Sequence, residues 1–109
     1  MLIAIPCVKE QLCVHFGLCE QFALVRLDDQ DNGILSVALH YLPRHMSGLI
    51  PEWLMNRNID VVVAGVMEVV TQSLFREHNI KVITGAPVDS PENLALKYVK
   101  GSLQNNGNA

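Results

Sequence analysis

Ile59-Asp60-Val61-Val62-Val63-Ala64 is an apolar segment from which the fold class of this chain can be inferred. Apart from Asp60, every side chain in it is apolar, and the valines favour extended backbone. A strand this apolar is not expected to face water, so we place it inside a parallel sheet that is covered by helices. Lys81-Val82-Ile83-Thr84 repeats the pattern, and Asn58 and Asn79 before the two strands suit the left-handed residue that follows a helix.

The rest of the chain divides into short strands followed by alternating helices and strands. Outward from the central stretch, the pattern predicts strands at Leu2–Ile5, Gln21–Asp28 and Ile34–Leu42, and Asn32-Gly33 predicts a hairpin between the last two. The predicted order is β-β-β-α-β-α-β-α. This order predicts a three-layer α/β domain with a five-stranded mixed sheet in the order 3-2-1-4-5.

Three helices complete this prediction. The first runs from Gly48 to Arg57 after a possible cap at Ser47, and the second from Met67 to His78. The third has the clearest boundaries, with Ser90 as N-cap, Pro91 in the first turn and Gly101 as the stop signal. The apolar residues expected inside are Leu49, Ile50, Trp53 and Leu54, then Val66, Val70 and Leu74, then Leu94, Ala95, Tyr98 and Val99.

Length and composition exclude several classes of protein. The 109 residues fit one domain, expected over residues 1–103, followed by a flexible C-terminal tail at 104–109. A net charge of −3 offers no basic surface for nucleic acid, and no apolar run approaches the ~20 residues that span a membrane. The first residues lack a basic leader, which predicts a cytoplasmic protein, and three cysteines, an odd number, favour reduced thiols there.

Thiols and imidazoles gather at one predicted edge of the sheet. Right-handed crossovers make strands one, three, four and five run in the same direction, so the loops at their carboxyl ends meet. That edge receives Cys7, the segment Cys13 to Cys19, the loop that contains His45, and Gly65 after the fourth strand. Ligands of open α/β sheets bind at such an edge, and thiolate and imidazole are ligands of soft and borderline metals.

Each of these residues also has a structural interpretation. His15 is a candidate metal ligand or a strand cap, while Cys13 and Cys19 are candidate ligands or small buried hydrophobes. Their spacing matches no zinc or iron-sulfur template. His45 is a weaker metal candidate, and Gly17 suits a turn. A cysteine-dependent enzyme that uses Cys13 and His15 is a further alternative, although no Cys-x-x-Cys motif is present.

Several short motifs together resemble the dinitrogenase iron-molybdenum cofactor family, which includes NifX-like carriers and the C-terminal domain of NifB-like proteins. The resemblance covers the chain up to Leu103. The motifs are Ile3-Ala4-Ile5-Pro6, His15-Phe16-Gly17, Phe22, His45 with Gly48, Asp60-Val61-Val62-Val63-Ala64-Gly65, Ile80-Lys81-Val82, and Tyr98 with Gly101-Ser102-Leu103.

The resemblance implies a ribonuclease-H-like fold and a non-catalytic protein that binds, stores or carries an iron-sulfur or molybdenum-containing cluster or its precursor. It implies cluster donor and acceptor proteins as partners, and we expect a monomer or weak homodimer. The family's cluster-binding histidines correspond to His15 and His45. A link to nitrogen fixation stays open, as does a ligand-free regulatory domain of the same fold.

The chain departs from the family pattern at the expected site. Leu18 stands where the family often has a basic residue, and Val66-Met67-Glu68 follows Gly65 where a Gly-x-Gly turn is common. The backbone cradle for an anion is therefore expected to be weaker, with a carboxylate beside it. The cysteines are not general features of the family. The predicted cofactor-binding residues are His15, Phe16, Gly17, Cys13, Cys19, His45, Gly48 and Gly65, and the predicted metal ligands are His15, His45, Cys13 and Cys19.

Overall fold

A computed structural model describes residues 1–46 and 48–103 of this chain. The predicted cap Ser47 and the predicted tail at 104–109 lie outside the described residues. In chain order the elements are strands β1 (Leu2–Val8), β2 (Gln11–Leu12), β3 (Gln21–Leu27) and β4 (Ile34–Tyr41), helix α1 (Ile50–Met55), strand β5 (Val61–Val63), helix α2 (Val69–Glu77), strand β6 (Lys81–Ile83) and helix α3 (Pro91–Val99). Short 3-10 helices lie at Phe16–Leu18 and Arg44–Met46.

The strands form one mixed sheet in the order β4-β3-β1-β5-β6, and β2 pairs with β1 in addition. β3 lies antiparallel to both β1 and β4, whereas β1, β5 and β6 are parallel. The predicted count of five strands is wrong because β2 is a sixth strand. With β2 included, the strand numbers in the observed order differ from the predicted 3-2-1-4-5. The five longer strands nevertheless have the neighbours and directions that the crossover rule predicted.

The missed strand β2 follows a turn that the sequence does not announce. β1 continues through Pro6 to Val8 instead of ending at Ile5. Lys9 and Glu10 then reverse the chain with φ angles of 50° and 67°, a conformation usually supplied by Gly, Asn or Asp in hairpins. Pro6 is tolerated in β1 because the pairing of β1 with β5 stops at Ala4, before the missing N–H is needed.

Two hydrophobic cores cover the two faces of the sheet. The α1/α2-side core joins Trp53 and Leu54 of α1 and Phe75 of α2 to sheet residues such as Phe22 and Val62. The α3-side core joins Leu94 and Ala95 to buried residues of four strands, which are Ile3, Ile5, Cys7, Leu12, Ala23, Val25, Leu27, Val61 and Val63. Alternate residues of β1 therefore enter different cores, as the two-residue period of a strand requires. The three layers of the prediction are present.

Helix α2 buries a different face from the one predicted. Val66, Val69 and Val70 are exposed, whereas Met67 and Gln72 are buried. The Gln72 amide donates a hydrogen bond of 2.8 Å to the carbonyl oxygen of Met67, which satisfies that group inside the core. The expected burial of Val66 and Val70 is therefore wrong, because a polar residue occupies an inward position of this helix.

The ends of the other helices follow the sequence signals more closely. Ser90 caps α3 by accepting a hydrogen bond from the backbone N–H of Asn93 at 3.2 Å. Asn58 and Asn79 have φ angles of 58° and 62°, and Gly101 has 76°, which are the left-handed conformations predicted after helices. Within residues 1–46 and 48–103, no helix combines the length and the apolar composition needed to cross a membrane.

Candidate functional site

A cleft of about 450 Å³ opens at the sheet edge where the sequence placed a ligand site. Three segments line it. The first is the loop His15-Phe16-Gly17-Leu18, the second contains Gly48 and the start of α1, and the third leads from Val66 into α2. The volume lies within the range of about 300–1,000 Å³ that small-molecule sites occupy. Four of the predicted site residues, His15, Phe16, Gly17 and Gly48, therefore share one cavity.

The loop that contains His15 is fixed to the segment after β5 by a short stretch of parallel pairing. His15 forms an isolated bridge with Val66. The N–H of Val66 donates to the Val14 carbonyl at 2.7 Å, and the N–H of Phe16 donates to the Val66 carbonyl at 3.0 Å. The first and third walls of the cleft are thus held together through backbone bonds.

Phe16 anchors this wall from below. Its side chain is buried, with edge-to-face contacts to Phe22 and Phe75 at centroid distances of 5.8 Å each. His15, the preceding residue, is exposed and lines the cleft. The His15 side chain makes no capping hydrogen bond to the 3-10 helix that follows it. The alternating burial therefore holds the backbone and leaves the imidazole facing solvent at the cleft.

Gly65 contributes by allowing two backbones to approach, and it does not line the cleft itself. A Cβ atom at this position would stand 2.7 Å from the Val14 carbonyl oxygen, a contact that real Cβ atoms do not make. The Gly65 carbonyl also accepts a hydrogen bond from the N–H of Gly85 at 2.7 Å. Gly65 therefore lies beside the site as predicted, but its role is to let the His15 loop pack closely against the segment after β5.

The third wall carries one of the two departures from the pattern described above, the segment Val66-Met67-Glu68. Glu68 stands at the N-cap position of α2 with extended backbone and no side-chain capping bond, and its exposed side chain lines the cleft together with Thr71. Among the lining residues, His15 and Glu68 are the ionisable ones. The amino end of α2 contributes partial positive charge, and the Glu68 carboxylate offsets it.

The cysteines do not form the thiolate cluster that the sequence suggested. Cys13 and Cys19 are joined by a disulfide bond, with their Cα atoms 6.1 Å apart. The expectation of reduced thiols is therefore wrong for this pair, since the loop brings together two side chains that are six positions apart in the sequence. In the disulfide form neither sulfur is a thiolate, so metal ligation by this pair stays a prediction for the reduced protein.

Cys7 is the free cysteine of the described chain, and it is buried. Its thiol donates a hydrogen bond to the Ile5 carbonyl at 3.3 Å. Burial raises the pKa of the Cys7 thiol to about 11, a hydrogen bond with the Ala23 backbone opposes the rise, and the Glu92 charge adds to it. Cys7 is a core residue and not a surface nucleophile.

His45 lies apart from the cleft lining. It is exposed in the second 3-10 helix, two residues before the described chain is interrupted at residue 47. Over residues 1–46 and 48–103, no three His, Cys, Asp or Glu side chains stand close enough to hold a metal ion. The four predicted metal ligands are thus placed as one imidazole in the cleft, one outside its lining, and a bonded pair of sulfurs.

The sequence placed the Glu68 carboxylate beside the expected site, but it did not identify Ile50, Pro51 and Thr71 as cleft residues. All four lie at or beside the amino ends of α1 and α2. Helices that follow a strand of this sheet begin at the ligand-binding edge. The first residues of each predicted helix could therefore have been identified as candidate cleft residues.

The whole chain resembles one family of proteins. A sequence profile of the family described as "Dinitrogenase iron-molybdenum cofactor" matches residues 1–101. Among curated proteins, none matches this chain significantly.

Solved structures agree with the fold. The protein PH0822 superposes with a TM-score of 0.84 at 20% identity, over 99% of this chain and 96% of its own. The protein mj0327 of Methanocaldococcus jannaschii gives 0.80 at 17% identity, over 100% and 97%. The apo form of the orange protein of Desulfovibrio gigas gives 0.69 at 14% identity, over 96% and 92%. At these identities the structures support the fold alone, while the profile covers most of the chain. The chain therefore belongs to the dinitrogenase iron-molybdenum cofactor family.

Proposed function

We propose that the cleft binds an iron-sulfur or molybdenum-containing cluster, or a precursor of one, as a cargo that the protein carries without transforming it. The observation that carries the proposal is the exposed His15 imidazole on a fixed backbone wall, in a cleft of ligand size, in a chain of this family. Imidazole nitrogen is a common ligand of iron and other transition metals.

The donor set suits temporary binding. A permanent structural metal site in a protein takes about four ligands. Here the cleft offers one imidazole and one carboxylate, from His15 on the first wall and Glu68 on the third. A cluster held by one or two protein ligands retains open positions that an acceptor protein can occupy. The proposed carrier role, with cluster donor and acceptor proteins as partners, follows from this incomplete coordination.

The third wall, which contains the amino end of α2, would add weaker interactions with an anionic cluster. The first N–H groups of α2 have no partner within the helix, and the Thr71 hydroxyl lies at the same end. Glu68 opposes negative charge at this position. The balance favours a cargo of low net charge, or one that Glu68 helps to ligate.

Anaerobic reconstitution tests the proposal. The protein is incubated with ferrous iron and sulfide, with and without molybdate, then desalted and analysed for bound metal and for visible charge-transfer absorption. We expect His15→Ala to weaken binding at least about tenfold, which corresponds to the loss of about 1.4 kcal/mol of interaction. His78→Ala is the matched control, because its ring lies at the end of α2, 2.9 Å from the Leu74 carbonyl. The control should bind as the unmodified protein does.

The outcomes separate the alternatives. Absence of bound metal and of charge-transfer bands in the unmodified protein would contradict the carrier proposal and favour a ligand-free regulatory domain. Binding that His15→Ala leaves intact would remove this residue from the site, and His45→Ala then tests the other predicted histidine. A cysteine-dependent enzyme would require Cys13 as a thiolate, whereas here it is bonded to Cys19. Turnover of a thioester that Cys13→Ala abolishes would support that alternative.

A further inference from the structure

The disulfide lies between two cavities of the molecule. On one side, residues 15–18 line the cleft. On the other side, both sulfur-bearing residues, Cys13 and Cys19, line a second groove of about 300 Å³, which we call the disulfide groove. Its remaining lining residues are Cys7, Val8, Lys9, Leu18, Glu20, Gln21 and Tyr41. Leu18 lines both cavities and is 79% exposed.

We propose that Cys13–Cys19 is a thiol–disulfide exchange site, reduced by a dithiol that enters the disulfide groove, and that its reduction loosens the Gly17-Leu18 part of the cleft wall. This goes beyond the proposed function, since it concerns a second chemistry at a second cavity and requires no bound cluster.

The exposure of the two cysteines determines which sulfur is attacked. Cys19 is 2% exposed, whereas Cys13 is half-buried at the groove. A thiolate of the dithiol therefore attacks Cys13 Sγ. The Cys13–Cys19 bond breaks, its electron pair leaves on Cys19 Sγ, and that sulfur takes a proton from water. The second thiol of the reagent then displaces Cys13, so the dithiol is oxidised to a disulfide as the protein gains two thiols.

The surroundings accommodate both redox states. Cys19 Sγ lies 3.0 Å from the His15 carbonyl oxygen, which is in position to accept a hydrogen bond from the new S–H group. The buried thiol thus gains a partner when it forms. The groove is lined by one basic and one acidic residue, Lys9 and Glu20, so its charged residues do not all repel an incoming thiolate.

The loop is anchored by burial at Phe16 and at Cys19, and the bonds between these two anchors are local. Phe16 is buried, and its N–H is bonded to Val66, so reduction leaves this residue in place. Beyond it, the backbone bonds are local. Leu18 N–H donates to the His15 carbonyl at 3.0 Å, and Cys19 N–H donates to the Phe16 carbonyl at 3.3 Å. Breaking the disulfide removes the covalent closure over these local bonds, so their opening is expected to become more frequent.

Titration with dithiothreitol tests the first half of the proposal. The folded protein is equilibrated with mixtures of reduced and oxidised dithiothreitol, quenched with acid, alkylated and weighed by mass spectrometry. Two thiols should appear together and disappear together when the mixture is reversed, while buried Cys7 stays unmodified. Cys7→Ser is the matched control and should give the same midpoint. A pair that resists excess dithiothreitol while the fold persists, or that does not re-form, overturns the proposal.

Hydrogen exchange on the same samples tests the second half. Reduction should speed exchange of the Leu18 and Cys19 amides by about tenfold or more, while the Phe16 amide and the Asn32-Gly33 hairpin change little. A Cys13→Ser/Cys19→Ser variant that keeps the native circular dichroism should show the fast exchange without reductant. Unchanged exchange at Leu18 and Cys19 after full reduction of the wild-type protein would overturn the coupling to the cleft. Neither experiment includes metal, so both remain decisive if the carrier proposal fails.

Discussion

Gly65 shows how one residue supports a site that it does not line. The backbone of Val14 lies so close to the Cα atom of Gly65 that a side chain would not fit between them. Next to this contact, the N–H of Val66 donates a hydrogen bond to the Val14 carbonyl, and this bond helps to position His15. Gly65 was predicted to be a cofactor-binding residue. In the structure it acts on the site indirectly, through the backbone of the neighbouring loop.

Gly65→Ala is expected to destabilise the protein by about 1–3 kcal/mol, because the new methyl group forces the backbone at Val14 to move. Urea unfolding measures the loss. Gly17→Ala is the matched control in the same region, since an added Cβ meets nothing within 4 Å there, and its effect should stay within about 0.5 kcal/mol. Equal effects of the two substitutions would show that close packing at Gly65 is not the cause.

Some residues of the site could be predicted from the sequence, and others could not. His15, Phe16, Gly17 and Gly48 were predicted and line the cleft. Their position follows from the topology, which directs the loops to one edge. The disulfide was not predicted, because the pairing of Cys13 with Cys19 depends on the path of the loop, and the odd number of cysteines favoured free thiols. Composition indicates a compartment, but it does not measure the distance between two side chains.

At the scale of elements, the amino end of α3 is the best-defined helix start in the chain. Ser90 caps the helix, and the preceding Asp89 receives several donors. One Asp89 oxygen accepts from the Ser90 N–H at 2.8 Å and the Asn93 amide at 3.0 Å, and the other accepts from Lys97 Nζ at 3.1 Å. The Asn93 side chain, the Ser90 N–H and Lys97, in that order, lower the pKa of Asp89 to about 2.

Asp89 should therefore make the stability of α3 depend on acid pH. The folded-state pKa of about 2 lies below the ordinary value of 3.8, so ionised Asp89 stabilises the fold above about pH 4. This contribution is lost as the pH falls from about 4 to about 2. Thermal unfolding of the wild type and of Asp89→Asn measures it as a difference in melting temperature. The wild type should melt higher at neutral pH, and the difference should shrink at about pH 2.

The other carboxylates are present in both proteins, so their contributions cancel in this comparison. Glu77→Gln is a suitable control, because that side chain is exposed at the end of α2. A melting-temperature difference between wild type and Asp89→Asn that is constant from neutral to acid pH would contradict the assigned role of the Asp89 charge.

The predicted helices illustrate what local sequence determines. The cap and proline of α3 act through their own backbone, so they fixed its start without knowledge of the rest of the fold. The inward face of α2 depends on what the helix packs against. Its valines gave no helical period, and buried Gln72 is polar, so hydrophobic pattern alone selected the wrong side. β2 was missed for a similar reason, since Lys9 and Glu10 carry no turn signal.

At the scale of the whole molecule, one sheet divides the interior into two cores that share β1. Ile3 and Ile5 enter the α3-side core, while Leu2 and Ala4 enter the α1/α2-side core. Because both cores pack on the same strands, unfolding of the sheet on one side would also expose the strands that form the other core. The two layers are therefore expected to unfold as one cooperative unit.

Leu94→Ala tests this coupling across the sheet. The substitution removes a fully buried side chain from the α3-side core and should cost about 2–5 kcal/mol. Trp53, the single tryptophan, lies in the opposite core, so its fluorescence in urea reports whether that core follows. The midpoints from fluorescence and far-UV circular dichroism should fall together. Leu35→Ala, at a site 61% exposed, is the control and should change stability by less than about 0.5 kcal/mol.

Separate midpoints for the two signals in Leu94→Ala would mean that the layers unfold independently.

The bridge between His15 and Val66 also has a consequence for synthesis of the protein. Translation delivers the amino-terminal hairpin first, and the strand that precedes Val66 must dock beside β1 before the bridge can close. A chain still short of α2 lacks one whole wall of the cleft. A growing polypeptide on the ribosome therefore presents no complete cavity until α2 has been synthesised and has folded.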